Sequence, residues 1–251
     1  MKKIIIFLLL AFPLITFSQN SLENWAKTKE NTLSSKNDDV QLYSLSEADG
    51  KLVVSDFVDF AGLTSEQIFV NALLYAIDAG TYQKENIESI DFAKKCFVMK
   101  QYIKSTQEVD VTYKCSTKFQ IAEDNLSFLS FDIVYESKNI FKELKDTPFE
   151  KLDTKKKPNH KIYIDEFTAG NSLFLSGMFK FIQTNQYPPV THWEDISKGK
   201  VVKGMTETEC KLAAGKPVHV RIMGNKVRWM FNNDFIVLFE DGKVSSVLNN
   251  L

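Results

Sequence analysis

Between Lys203 and Pro217 the chain writes a helix too short to stand alone, and that limits what can surround it. Thr206 and Glu209 have the spacing of a reciprocal capping box, each side chain serving the other's backbone amide. Glu207 and Glu209 put negative charge in the first turn, where the helix dipole favours it. Gly215 supplies a left-handed stop, and Pro217 prevents resumption. The two or three turns between these signals need a packing partner. Cys210, Ala213 and Ala214 are the expected docking face.

The segment beyond Pro217 alternates. Val218, Val220 and Ile222 precede the turn Gly224-Asn225, and Val227, Trp229 and Phe231 share one parity. Asn232-Asn233 turns into Phe235, Val237 and Phe239. Asp241-Gly242 is a type I′ hairpin signal leading into Val244 and Val247. This spacing predicts a three- or four-stranded antiparallel meander with one buried face. With its helix it makes an α+β unit of about 50–60 residues, near the lower limit for an independent core.

Gly204-Met205-Thr206, Glu209, Gly215-Lys216-Pro217, Trp229 and Phe239-Glu240-Asp241-Gly242-Lys243-Val244 together resemble the SmpA/OmlA family of small outer-membrane lipoproteins. The resemblance spans residues 188–251, with Trp193 to Lys200 as the preceding helix. It implies a helix-helix-strand-strand-strand module and a role in outer-membrane assembly or maintenance. The chain departs from that pattern in having no acylated cysteine near its start.

Met1-Lys2-Lys3, the apolar run Ile4 to Ile15 and the small residues Thr16 and Ser18 read as a secretory signal peptide over 1–18, cut near Ser18. The run is shorter than the about 20 apolar residues a membrane span needs. A periplasmic or secreted protein without a transmembrane span is expected. The formal charge is −1, and losing Lys2 and Lys3 removes two positive charges to leave −3. That balance argues against nucleic-acid binding, which wants a basic surface. The 20 phenylalanines fit packed sheets under helices, or the lining of an apolar cavity.

Residues 19–50 are polar and read as a leader, with at most one helix around Trp25. Lys51 to Phe60 alternates as a strand. Thr64 and Gln67 then repeat the capping-box spacing before a helix ended by Gly80. That helix is apolar nearly all round, with Gln67, Asn71 and Asp78 as its polar seam, so it is expected to be covered on more than one side. Phe92–Ile103 reads as one strand. Val109, Val111, Tyr113, Cys115, Thr117, Phe119 and Ile121 give a period of two, with Asp110 to Gln120 on the other parity facing water. Leu129, Phe131, Ile133 and Tyr135 alternate after the turn Glu123-Asp124-Asn125. Lys142 to Lys161 reads as a connector. Ala169 to Thr184 carries a stripe of Phe174, Met178, Phe181 and Ile182 opposite Ser172, Ser176 and Lys180, the natural cover for the first helix. Strand, helix, antiparallel strands, helix over residues 51–187 is the order of a curved sheet gripping helices. With Gly62-Leu63-Thr64 before the first helix, it resembles uncharacterised exported Bacteroidetes domains with a TATA-binding-protein-like fold. A fold of that shape does not imply DNA binding.

Cys96, Cys115 and Cys210 are an odd set for an exported chain. Cys96 and Cys115 lie on adjacent strands. A cross-strand disulfide is open if the register allows it, and so is the reading of three free thiols. His160, His192 and His219 are scattered, and His192-Trp193-Glu194-Asp195 reads as a helix start more readily than a metal pair. Asp56 and Asp59 point to opposite sides of their strand. Lys155-Lys156-Lys157 reads as a solvated linker or, less simply, as an attraction to anionic headgroups. No nucleophile elbow, phosphate loop or zinc helix occurs. The expectation is a non-enzymatic envelope adaptor without cofactor or metal, binding an envelope protein or lipid headgroup; the alternative is a carrier holding a lipid or other apolar molecule. Its oligomeric state is not written in the sequence.

Overall fold

The computed structural model describes residues 41–79, 86–108, 110–138, 144–157, 159–232 and 235–249. The predicted signal peptide with Ser18, the helix around Trp25, and Gly80, Val109, Pro158 and Asn233 lie outside them. The fold is α+β, with a large antiparallel sheet, few helices and a second, smaller sheet. The large sheet contains β1 (Ser46–Ala48), β2 (Lys51–Asp59), β3 (Ile87–Asp91), β4 (Cys96–Lys104), β5 (Val111–Ala122), β6 (Asn125–Lys138) and β7 (Leu144–Pro148). Its order is β1-β2-β6-β5-β4-β3, with β7 also on β6. Helices α1 (Ser65–Ala79), α2 (Asn159–Thr184), α3 (Trp193–Ser197) and α4 (Glu207–Ala214) precede β8 (His219–Met223), β9 (Lys226–Met230), β10 (Phe235–Glu240) and β11 (Lys243–Asn249).

The described chain falls into two compact units. One takes the residues up to Val58, Val98–Gln120 and Leu126–Lys180; the other takes Asp59–Phe97, Ile121–Asn125 and Phe181 onward.

In the first unit the expected parity of β5 is observed: Val111, Tyr113, Cys115, Thr117 and Phe119 are buried. Ser116 is buried as well, against the expectation that this parity faces water, and Lys114 reaches Glu136 and Asp146 instead of solvent. Strand β6 corrects a larger expectation. Leu126, Phe128 and Ser130 point inward and Leu129 is exposed, the opposite of the predicted alternation, while Ile133 is buried as predicted. Asp132 lies between the two halves with φ 51°. A residue in that conformation inserts an extra step into the strand and switches the inward parity beyond it.

The predicted connector holds β7 and a 3-10 turn, Phe149–Lys151, whose Phe149 is fully buried between Tyr113 and Phe167. Helix α2 starts at Asn159, well before Ala169; Met178 and Ile182 of the predicted stripe are buried, but Phe174 and Phe181 are only half-buried, and Phe167, Asn171 and Leu175 complete the inner face. Ser172 is therefore inside, where it accepts from the amide of Tyr43 at 3.0 Å. The Tyr43 ring packs on Phe128 and Phe179, so this unit's core begins before Lys51.

Gly170 shows how tightly α2 approaches the sheet. A Cβ there would stand 2.5 Å from Cγ2 of Ile103. Gly170→Ala is expected to destabilise by about 1 kcal/mol, overpacking outweighing alanine's better helix propensity. In an Ile103→Ala background the same change should become stabilising, and urea unfolding of the four proteins checks the coupling.

In the second unit, Thr64 and Gln67 form the expected cap: the Thr64 amide donates to Gln67 Oε1 at 2.9 Å and the Gln67 amide to Thr64 Oγ1 at 3.2 Å. Asn71 is not on a water-facing seam. It is buried and donates through Nδ2 to the carbonyls of Ile182 and Asn185 at 3.4 and 3.2 Å, serving the open C-terminal end of α2. Tyr75 meets Phe181, while Phe69 packs on Trp193 and Phe97. An all-apolar helix thus finds cover on several sides, as its composition requires. Phe92–Ile103 is not one strand: residues 92–95 turn between β3 and β4, with Lys95 at φ 49°.

Candidate functional site

The C-terminal segment is organised by one buried carboxylate. Thr206 caps α4, and the capping box is complete in both directions: Glu209 N donates to Thr206 Oγ1 at 3.2 Å, and Thr206 N to Glu209 Oε2 at 2.8 Å. The other oxygen, Oε1, accepts from the amides of Thr191 and His192 at 2.7 and 3.1 Å and from the Thr191 hydroxyl at 3.0 Å. His192 Nδ1 stands 3.0 Å from the same oxygen. Burial pushes the Glu209 carboxyl up, but the Thr206 and Thr191 amides, with the His192 ring and the Thr191 hydroxyl, outweigh it and hold it at about 2. Glu209 is only 2 % exposed, so these bonds leave it no face for a ligand.

Gly204-Met205 is stitched to the last hairpin. Gly204 N donates to Val244 O at 2.8 Å, Val244 N to Met205 O at 2.7 Å, and Thr206 bridges Lys243. Gly215 ends α4 at φ 84°, ψ −159°, a region essentially reserved for glycine. Asp241 and Gly242 have φ 52° and 74°, as a type I′ turn demands. Pro217 is half-buried at the entry to β8. The expected docking face needs one correction: Cys210 and Ala213 are buried as predicted, but Leu212 takes the place of Ala214, which is half-exposed.

The meander has four strands in the order β11-β10-β9-β8. Register aligns Val220, Trp229, Val237 and Val247 in one row and Ile222, Val227, Phe239 and Val244 in the next. Trp229, Val237, Phe239 and Val244 are buried, with the Trp229 and Phe239 rings 4.7 Å apart. The same face runs on to the terminal strand uncovered: Val220 is 52 % and Ile222 73 % exposed. On the opposite face Arg221 stands directly across from Arg228, and His219 and Met223 flank them. Sequence reasoning reads β8 as an ordinary strand with one buried side. Its edge position is set by the strand order, which the alternation does not encode.

Other candidate groups are occupied elsewhere. The three cysteines are free. Lys95 O accepts from Ile121 N, and the Gln101 amide donates to Thr117 Oγ1. That register leaves Cys115 about five residues, roughly 16 Å, along β5 from the position facing Cys96, so of the two open readings the disulfide is out of reach. Burial pushes the Cys115 and Cys210 thiols up to about 12, which makes them inert. His192 Nδ1 faces Glu209, and no group of three or more metal-type ligands occurs among the described residues. Lys155, Lys156 and Lys157 are exposed, as a solvated linker requires. A cleft of about 290 Å³ is lined by Thr64, Gln67, Asn71, Tyr187 and Pro188.

A second buried carboxylate has no counterpart among the sequence expectations. Glu166 on α2 accepts from the Thr106 amide and hydroxyl at 2.9 and 2.6 Å and from the Gln107 amide at 3.2 Å. It also accepts from the Ser105 hydroxyl at 2.7 Å and from the Tyr113 hydroxyl. Burial raises it, but the Thr106, Tyr113 and Ser105 hydroxyls prevail and hold it below the usual carboxylate range. Burial and the Glu166 carboxylate push the Tyr113 phenol far up.

No family model matches the chain, and no curated protein matches it. Among solved structures, the chain is similar to a TBP-like protein from Parabacteroides distasonis at 15% identity and TM-score 0.49, over 56% of this chain and 98% of that one. It is also similar to a DUF4468 family protein from Bacteroides ovatus at 17% identity and TM-score 0.43, over 61% of this chain and 100% of that one.

Proposed function

We propose that this is a non-catalytic exported envelope protein, an adaptor that takes an extended segment of a partner protein along the free edge of β8. The carrying observation is the pair Val220 and Ile222, apolar residues of the meander's buried face left exposed on its terminal strand. An edge strand presents unpaired backbone donors and acceptors, and strand addition uses them for affinity while alternate side chains give selectivity. The two short helices, the meander and the stitch between Gly204-Met205 and Val244 support a module of the SmpA/OmlA kind, with four strands in place of three. A role in outer-membrane assembly or maintenance comes with that resemblance. Both buried carboxylates are committed to internal donors and depressed, which suits scaffolding better than acid–base work.

The carrier alternative is weaker. Gln101, Thr117 and Ser130 join in a hydrogen-bonded row across three strands of the first unit's inner face, polar fill that an apolar ligand does not want.

A photo-crosslinking residue at Ile222 in intact cells is expected to give a discrete protein adduct, lost on Val220→Lys. The same probe at exposed Lys155 should give none. Equal patterns at both positions, or no adduct at Ile222, would overturn the edge reading.

A further inference from the structure

Building on the edge reading, we infer that the segment β8 accepts is acidic on alternate positions and apolar between them, and that the strand is built to refuse a second copy of itself. Two observations carry this. Arg221 and Arg228 are directly opposed across the β8–β9 pair, an arrangement of like charges that destabilises a sheet unless something compensates. Lys226, the next row's cation, has its carboxylate in Glu240 at 3.4 Å, whereas among the described residues no carboxylate pairs with either arginine. The Arg228 Nε is moreover buried without a hydrogen-bond partner. That nitrogen lies inside on β9, so the guanidinium that an acceptor brought from outside can reach is Arg221, on the edge strand.

The register says where that acceptor would come from. A strand laid against β8 places its residues opposite those of β8, alternating between the two faces. On one face an incoming residue neighbours Arg221; on the other its neighbours are Val220 and Ile222. A sequence alternating Glu or Asp with Val or Ile satisfies both faces at once. A carboxylate beside Arg221 accepts in the bidentate geometry that guanidinium favours and relieves the Arg221–Arg228 opposition.

The same row excludes self-pairing. Two β8 strands joined antiparallel with full overlap meet at Arg221, the middle residue of His219–Met223. Arg221 and Arg228 of each copy would then form one row of four guanidinium groups, while the apolar residues Val220 and Ile222 would otherwise favour such a dimer. Edge strands that carry cations against aggregation work by this repulsion.

The test uses the full mature chain and three synthetic peptides of equal length, alternating Val with Glu, Ser or Lys, read by fluorescence anisotropy at low salt. The Val/Glu peptide is expected to bind at least about tenfold tighter than Val/Ser, with Val/Lys weaker still, and the preference should shrink as salt screens it. Arg221→Glu with Arg228→Glu should reverse the order of the Glu and Lys peptides. Sedimentation should show no concentration-dependent dimer for the native chain and a dimer for Arg221→Val with Arg228→Val. Equal binding of all three peptides would overturn the charge inference and leave the edge reading standing. Binding of none would remove both. A native dimer abolished by Ile222→Lys would make a second copy the occupant and overturn the inference.

Discussion

Glu209→Gln should unfold the C-terminal module almost as effectively as Glu209→Ala, although glutamine has the same shape. The carboxylate accepts at both oxygens from backbone amides: Thr206 on one side, Thr191 and His192 on the other. An amide group must put its NH2 against one of these sets. Backbone N–H groups cannot reverse their polarity, so donor faces donor in either orientation. Each variant is expected to lose on the order of 3 kcal/mol, because buried donors left without acceptors keep their full desolvation penalty. Thermal or urea unfolding followed by Trp193 and Trp229 fluorescence reads this directly. The pH dependence has a definite sign. The folded carboxyl is held at about 2, below its unfolded value, so its contribution is complete above pH ~5 and drains away as pH falls toward 2. The native chain should therefore lose stability across that acid range, and Glu209→Gln should show a flatter profile from a lower starting point.

Glu166 makes the contrasting case. Glu166→Ala is expected to lower stability by about 3 kcal/mol, since Thr106, Gln107 and Tyr113 would lose their acceptor inside the first unit. Glu166→Gln should lower it by only about 1 kcal/mol. One oxygen meets both backbone amides, Thr106 and Gln107, and glutamine keeps it. The other meets only the hydroxyls of Ser105 and Tyr113, and the Tyr113 hydroxyl can turn and accept from an NH2. The measurement is the ratio of the two losses: well above one at position 166 and near one at position 209. Similar ratios at both positions would show that the donor types do not govern the difference.

The sequence is most legible where local chemistry determines local shape. Both capping boxes, the inward parity of β5 and the Asp241-Gly242 turn are as the residues dictate, because each depends on neighbours a few positions away. Asp49-Gly50 carries the same dipeptide and makes a turn with the same kind of positive φ values, 51° and 74°, yet is easily overlooked inside a polar stretch. The parity of β6 is unreadable for another reason. Nothing in Leu126 to Tyr135 marks Asp132 as the residue that takes a positive φ, and one such step reverses every assignment before it. Asn71, Ser172 and Glu166 escape a sequence reading because their partners lie far along the chain, and burial of a polar group is legible only with its partner. The Arg221–Arg228 opposition is readable: the two-residue turn Gly224-Asn225 fixes that register. That turn does not reveal that β8 is left as an outer strand.

The stitch between Gly204-Met205 and Val244 has a temporal consequence. A polypeptide made from its front end delivers Thr206 and Glu209 well before Val244, so α4 waits for its clasp until the closing hairpin arrives. During that interval α4 keeps its packing on α1 and α3 but lacks its contacts with β11. The newly arriving tail is then most exposed to chaperones and proteases, and the speed of the Asp241-Gly242 hairpin governs how long that vulnerability lasts.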